Sequence, residues 1–398
     1  MARDIKGREV RGVMQGPNRA AVRAILRNEG VFVTALAESK PGVNFAQWWE
    51  RRRGVKLTDL VIFSQQLSTM VGAGMDLAEA FMILAAQTEN DRLRQVLGEI
   101  SREIQSGTAL SRAMERYPHI FPELSVALVK AGEVGGILEE TLLTAAQNLE
   151  RELELREKVK AAFVYPIIVL VVAAIVIAVM LLFVVPVFDK VYKQFRAELP
   201  GMTLTLIYIS YFTVNYWWVI LIGIILFLAG FRRFSRTPRG RSLLDRLKLR
   251  LPLLGKLSRK IVIARFIESL GALVRAGVPL LEGLQTSARV AANVEFQEAI
   301  AGVVERVKQG VKLSDELAAT RKFPPMVARM IEVGEESGAL DEMMQRISVF
   351  YHRDIEFMVR RLLTLLEPAL TVVLGVIVGF ILLALYLPIF TLATVIKK

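Results

Sequence analysis

Residues 63–81 read FSQQLSTMVGAGMDLAEAF, and residues 266–284 read FIESLGALVRAGVPLLEGL. At an offset of 203, Phe63 falls on Phe266, Gly74 on Gly277, Leu77 on Leu280 and Glu79 on Glu282. Gly107 and Leu110 continue the register onto Gly310 and Leu313. One residue is then lost. At an offset of 202, Phe121-Pro122 meets Phe323-Pro324, and KAGEVGGILEE from Lys130 meets EVGEESGALDE from Glu332. Pro166 falls on Pro368 and Pro186 on Pro388. The chain is therefore a duplicated unit with a connector between the copies.

Inside each copy the apolar residues recur with helical spacing. Thr58 or Asp59 is placed to cap a helix that ends near Gly72 and Gly74. Further helices are expected over Asp76 to Thr88, Asp91 to Gln105, around Leu110, and Glu123 to Ala131. A last one starts near Ile137 and runs on through ELELREKVK. That makes about six helices per copy, which suits a bundle of ~100 residues. Gly74, Gly132, Gly277 and Gly334 read as turn glycines. Residues 1–56 have no counterpart in the second copy. There EVRGVMQG suggests a strand or hairpin, Asn18 to Asn28 a helix, and VFVTAL a strand. The stretch Glu38 to Gly54, with Trp48, Trp49 and an arginine triplet, reads as a linker or an amphipathic contact.

Of the 398 residues 53% are hydrophobic and 23% charged, and the mean hydropathy is +0.42. Membrane spans joined to sizeable aqueous domains fit that combination. Three uncharged runs are long enough to cross a bilayer: Val164 to Phe188, Leu206 to Phe231, and Pro368 to Ala393. Tyr208, Tyr211, Tyr216, Trp217 and Trp218 gather in the first half of the second run, as interfacial anchors do. Residues 232–260 hold eleven Arg and Lys against one acid, Asp245. The opening MARDIKGREVRG has no apolar run, so no cleaved signal peptide is expected. By the positive-inside rule the N-terminal part and residues 232–365 lie in the cytoplasm, and loop 189–205 and the C-terminus lie outside. This accounts for the net charge of +12 by topology and anionic lipid contact, without nucleic acid.

The expected fold class is thus an all-α membrane protein with a small mixed α/β N-terminal segment. The segments run 1–56 (N-terminal segment and linker), 57–163 (first cytoplasmic bundle), 164–188 (span one) and 189–205 (periplasmic loop). They continue 206–231 (span two), 232–259 (basic linker), 260–366 (second bundle), 367–393 (span three) and 394–398 (tail).

Little in the chain suggests chemistry. There are no cysteines and two histidines, His119 and His352, which fall at unrelated places in the two copies. No metal or cofactor site is expected. Gly255-Lys256 lacks the earlier glycine and the following Ser or Thr of a phosphate loop. The sharpest polar candidates are Glu133 and Glu335, which the repeat places one residue after Gly132 and Gly334. They read either as caps on the following helix or as groups for partner contact or cation coordination. Gly375 and Gly379 form a GxxxG in span three, and Ala174 and Ala178 share that spacing in span one. Such faces allow close helix approach within the chain or between copies. Glu367 sits at the membrane boundary with Arg360 or Arg361 about two turns away as a partner. A small-solute transporter is the rival class. It would need ionisable or unwound positions at membrane depth, and Asn215 is the main polar residue there.

The chain resembles the polytopic inner-membrane platform proteins of type IV pilus and type II secretion systems. The likeness rests on FSQQLSTMVGAGMDLAEAF, on KAGEVGGILEE with its echo, on the YP…VP frame of span one with its EP…LP echo, and on the leader IKGREVRGVMQG. It implies a scaffold and not an enzyme, seated in the bacterial inner membrane. It also implies partners: a hexameric cytoplasmic assembly ATPase, pilins or pseudopilins, other inner-membrane assembly proteins, and further copies of itself. The resemblance leaves open whether the fibre is a pilus or a secretion pseudopilus.

Overall fold

The computed structural model describes residues 2–4, 9–10, 31–33, 54–194, 201–235, 237–251 and 254–395. The chain forms two units, 1–54 and 55–398. In the first, β1 (Ala2–Asp4) is the middle strand of a three-stranded antiparallel sheet. Ala2 pairs with Val10 of β2 (Glu9–Val10) and with Val33 of β3 (Val31–Val33). The helix expected at Asn18 to Asn28 and the stretch from Glu38 to Arg53 lie outside the described residues.

Among the described residues the second unit consists of helices joined by short turns. Repeat one comprises α1 (Leu57–Gly72), α2 (Leu77–Gln87), α3 (Asp91–Gln105), α4 (Leu110–Glu115), α5 (Glu123–Gly135) and α6 (Leu138–Val179). A π-helical turn, Met180–Val184, leads from α6 into α7 (Val185–Gln194). The connector holds α8 (Gly201–Phe234) and α9 (Pro238–Arg250). Repeat two comprises α10 (Leu254–Arg275), α11 (Leu280–Val290), α12 (Val294–Lys308), α13 (Leu313–Ala319), α14 (Pro325–Ser337) and α15 (Leu340–Val395).

The caps explain where these helices begin. The Asp59 carboxylate accepts the Lys56 N–H at the head of α1. Asp76 and Asn90 each accept two backbone N–H groups at the heads of α2 and α3, which satisfies donors that have no partner inside the helix. Three glycine pairs share left-handed backbone between the copies: Gly74 and Gly277 (φ 81 and 76), Gly107 and Gly310 (87 and 86), Gly136 and Gly338 (69 and 68).

Each bundle closes on its own apolar core. Phe63 and Phe121 lie 6.2 Å apart, and their counterparts Phe266 and Phe323 lie 5.4 Å apart. The third ring comes from different helices. In repeat one it is Phe81 of α2, 5.5 Å from Phe63, and in repeat two it is Phe296 of α12, 5.6 Å from Phe323. The positions matching these rings carry Leu284 and Leu93, both fully buried. One Phe and one Leu have exchanged places across adjacent helices, a volume-conserving swap that a close-packed core tolerates.

Gly132 and Gly334 are not turn residues. Both sit inside helices, α5 and α14, whose left-handed ends are Gly136 and Gly338. Their role is close approach. A Cβ on Gly132 would stand 2.0 Å from Thr141 Oγ1 and 2.9 Å from Leu138 Cα, and one on Gly334 would stand 3.0 Å from Leu340 Cα. The following helix crosses here with no room for a side chain, so tertiary contact overrides the weak helix propensity of glycine.

The long helices do not stop where the apolar runs begin. The α6 helix has 42 residues, about 63 Å at the usual rise, and passes through Pro166 unbroken. The α15 helix has 56 residues, about 84 Å. Before Pro186 the π turn widens the helix, which relieves the clash of the proline ring with the preceding carbonyls. The expected loop 189–205 is helical to Gln194 and again from Gly201, and much of the expected linker 232–259 is helix. Two helices are long and apolar enough to cross a membrane, and α8 adds a bent pair, Gly201–Val219 and Leu221–Phe234, at 55°. Tyr216, with φ −118 and ψ 19, lies outside helical backbone near the break.

The three apolar helices meet through Val185, Leu206, Ile207, Ile381, Ala384 and Leu385. Thr203 donates to the Ala384 carbonyl (2.6 Å) and Ser210 to the Leu181 carbonyl (2.5 Å) inside the π turn. Such bonds supply partners for backbone groups in a medium without water. Beyond this contact the apolar side chains of these helices are mostly exposed, as lipid-facing surface would be.

Candidate functional site

Two features stand out in the second unit: a glutamate clasp built twice, and the seam between the bundles. In the first clasp Glu133 reaches back from α5 to the head of α4. Its Oε1 accepts the Leu110 N–H (2.5 Å), and its Oε2 accepts the Ser111 N–H (3.3 Å) and hydroxyl (2.5 Å). Glu335 of α14 repeats the arrangement with Leu313 N–H (2.7 Å), Ser314 N–H (3.0 Å) and the Ser314 hydroxyl (2.5 Å). A carboxylate at a helix N-terminus satisfies orphan donors and faces the positive end of the dipole. The capped helix is the preceding one, not the following one expected from sequence.

The seam joins α5 and α6 of repeat one to α10, α11 and α15 of repeat two. Leu124, Leu128 and Ala145 pack on Ala272 and Leu273. Leu155, Val159 and Ala162 of α6 pack against the core of repeat two. Ion pairs border this patch: Lys130 to Glu282 (3.4 Å), Arg151 to Glu268 (3.1 Å), Arg265 to Glu152 (3.3 Å), Lys158 to Glu356 (2.5 Å), and Arg289 to Glu123. Their side chains are largely half-exposed, so each contributes little alone. The buried leucines supply the larger share, about 1.5–3 kcal/mol for each fully buried side chain. The ion pairs fix the register.

Lys158 and Glu356 shape each other's titration. The hydrogen bond from Lys158 holds the Glu356 carboxyl below its ordinary range, and the bond to Glu356 holds Lys158 above its own. Elsewhere in repeat one Tyr117 donates to Glu99 (2.6 Å), and that bond pushes the phenol up to about 12.

A cleft of 240 Å³ opens along the seam, lined among others by Glu123, Asn148, Glu152, Arg265, Glu268, Arg289 and His352. His352 Nε2 lies 3.1 Å from Glu268 Oε2, so this histidine has a carboxylate partner that sequence reading did not anticipate. His119 is exposed in the other repeat. Among the described residues no three His, Cys, Asp or Glu side chains are grouped to hold a metal ion.

The remaining candidates separate. A Cβ on Gly375 or Gly379 would meet nothing within 4 Å. Ala174 is exposed and Ala178 half-buried. Glu367 makes no ion pair with Arg360 or Arg361 among the described residues; a separation of six or seven residues is about 9–10.5 Å along a helix.

Sequence reading missed the seam because its partners are 113 to 198 residues apart. A signal was available, though. Glu268, Arg265, Arg289 and Glu123 correspond to Gln65, Ile62, Ala86 and Pro325. Positions where one copy is charged and the other is not mark the surface that the two copies use differently.

The family described as type II secretion system (T2SS), protein F, matches residues 63–186 and 266–388. Those blocks are the two repeats, each bundle together with the apolar helix behind it. The chain belongs to the type II secretion system protein F family. The N-terminal domain described for the same family matches residues 2–37. A type IV pilus assembly protein PilC of Thermus thermophilus is 38% identical over 392 residues, 98% of this chain and 96% of that one. The PilC of Pseudomonas aeruginosa is 35% identical over 94% of this chain and 99% of its own. A type II secretion system protein F of Vibrio cholerae is 31% identical over 98% and 96%. Similarity to protein F family members thus extends over almost the whole chain.

Proposed function

We propose that this protein F family member is an inner-membrane platform for assembling a type IV pilus or a type II secretion pseudopilus. The observation that carries the reading is the direct continuation of each bundle's last helix into an apolar stretch, twice in one chain. Displacing a bundle therefore displaces a span, with no flexible joint between them.

The seam supports three crossings. The two bundles pack together, so they occupy one side of the bilayer. If α6 leaves that side, α8 must return the chain to it, bent or not, and α15 leaves again. The basic run 232–260 makes the bundle side cytoplasmic, which puts the N-terminus inside and the C-terminus in the periplasm. On this reading residues 57–163 and 260–366 are the cytoplasmic bundles. Residues 164–188, 206–231 and 367–393 are the bilayer-crossing parts of α6, α8 and α15.

An assembly ATPase acts on the bundles from the cytosol, and the spans guide pilins or pseudopilins out of the bilayer. The relatives' names, pilus assembly and secretion, support this assignment. Glu133 and Glu335 serve as internal clasps that hold each bundle's shape, since both oxygens of each are occupied. The open GxxxG face of α15 is available to another copy.

Deleting the gene should abolish fibre assembly or secretion. A charge-reversed seam (Glu123→Arg with Arg151→Glu) should insert normally yet restore little. A deletion strain that assembles fibres or secretes at wild-type levels would overturn the proposal.

A further inference from the structure

Helix α9 takes no part in the seam, the clasps or the spans. Its inner side packs on repeat two: Asp245 is buried and Leu249 joins that repeat's core. On the other side Leu243, Leu247 and Leu251, spaced four residues apart, are 59%, 52% and 41% exposed. At about 100° per residue, the positions of Arg239, Arg246 and Arg250 border this leucine row on one side. Those of Arg241 and Lys248 border it on the other. Arg246 itself is 54% exposed and only loosely paired with Glu298 at 3.8 Å.

The place of α9 is fixed by its contact with α8. Gly240 sits so close to the end of α8 that a Cβ there would lie 2.0 Å from the Phe234 carbonyl oxygen. The Gly240 N–H donates to Thr237 Oγ1 (3.1 Å), whose hydroxyl donates to the Phe234 carbonyl (2.7 Å). The first turn of α9 is thus pressed against the last turn of α8, where Phe231 and Phe234 are exposed.

We propose that α9 lies in the headgroup layer of the cytoplasmic leaflet, its leucine row among the acyl chains and its flanking cations on anionic phospholipid. An apolar row with cations on both borders is the pattern of an interfacial helix whose long basic side chains reach up to headgroups. A protein partner would cover the leucines but would not call for cations on both sides. The inference rests on α8 being a span that ends on the cytoplasmic side.

The chain has no cysteine, so spin labels can be placed singly in the otherwise native full-length protein. Leu243→Cys and Leu247→Cys would be labelled and reconstituted in nanodiscs of phosphatidylcholine with or without phosphatidylglycerol. Collision with oxygen is then compared with collision with a water-soluble nickel chelate. Ile222→Cys, exposed on α8, is the lipid reference, and Gln95→Cys, exposed on α3, is the water reference. The expected oxygen-to-nickel ratio at both α9 sites is several-fold above that at Gln95, falling toward it when phosphatidylglycerol is left out. A water-like ratio in anionic discs, or shielding from both reagents as a covering protein would give, overturns the proposal. Equal depth in both discs overturns its electrostatic part. A water-like Ile222 label would instead sink the span reading, so the two failures are told apart.

Discussion

Replacing Glu133 with Gln changes one atom and tests the clasp directly. The native carboxylate accepts from Leu110 N–H with one oxygen and from Ser111 N–H and hydroxyl with the other. An amide offers one oxygen and one NH2, so in either orientation a donor of the α4 first turn faces another donor. Losing a charge-assisted bond and stranding a partly buried N–H costs about 1.5–3 kcal/mol, and water reaching this half-buried site pulls the value toward the lower half. About 2 kcal/mol corresponds to a ~30-fold rise in local opening. Hydrogen exchange on the full-length protein in detergent should show that loss of protection across the head of α4 and leave repeat two unchanged. Glu335→Gln should do the same at Leu313 and Ser314 alone. The two losses should add, because the two clasps share no partner. If Glu133→Gln left protection at Leu110 and Ser111 within about twofold of native, the three hydrogen bonds would not be what holds α4.

Gly132→Ala should lower the melting temperature through an overpacking cost of about 1–3 kcal/mol. Adding Thr141→Ala should recover only part of it, since Leu138 Cα at 2.9 Å is backbone; complete recovery would contradict the close-approach account. Glu356 has a depressed folded pKa, so its contribution is present above the unfolded carboxylate value and lost as pH falls through the folded one. Lys158 has a raised pKa, so its contribution is present below the unfolded lysine value and lost as pH rises through the folded one. Exchange protection where α6 and α15 pair should therefore be greatest between those limits, and Glu356→Gln should remove the acid-side loss. Leu273→Asp places a charge in the fully buried seam and should part the bundles while each keeps its own helical signal. A variant whose bundles melted together as in the native chain would show that the apolar patch does not hold them.

The duplication, the six-helix units and the apolar runs were legible because each is a local or strictly periodic property. Two of the glycine pairs show the limit of that reading. Gly74 and Gly277 are turns and Gly132 and Gly334 are crossings, yet all four follow an apolar helical run in the sequence. Only the neighbour across the gap tells them apart. Glu133 was recognisable as a cap, but the helix it caps depends on which way the chain folds back. The break near Tyr216 leaves no periodic trace in the sequence, and Pro186 marks the place of the π turn without giving its form. The seam is chemically plain in sequence but written in residues far apart.

The exchange of Phe81 and Leu93 for Leu284 and Phe296 has a consequence for the history of the gene. Once the two halves had settled on different helices for their third ring, single helices stopped being spare parts. Grafting α2 in place of α11 would crowd the second bundle with an extra ring, and the reverse graft would leave the first with a hole. Gene conversion between the halves can now keep the packing only when it copies both helices of the pair together, so the two copies are held apart by their own packing.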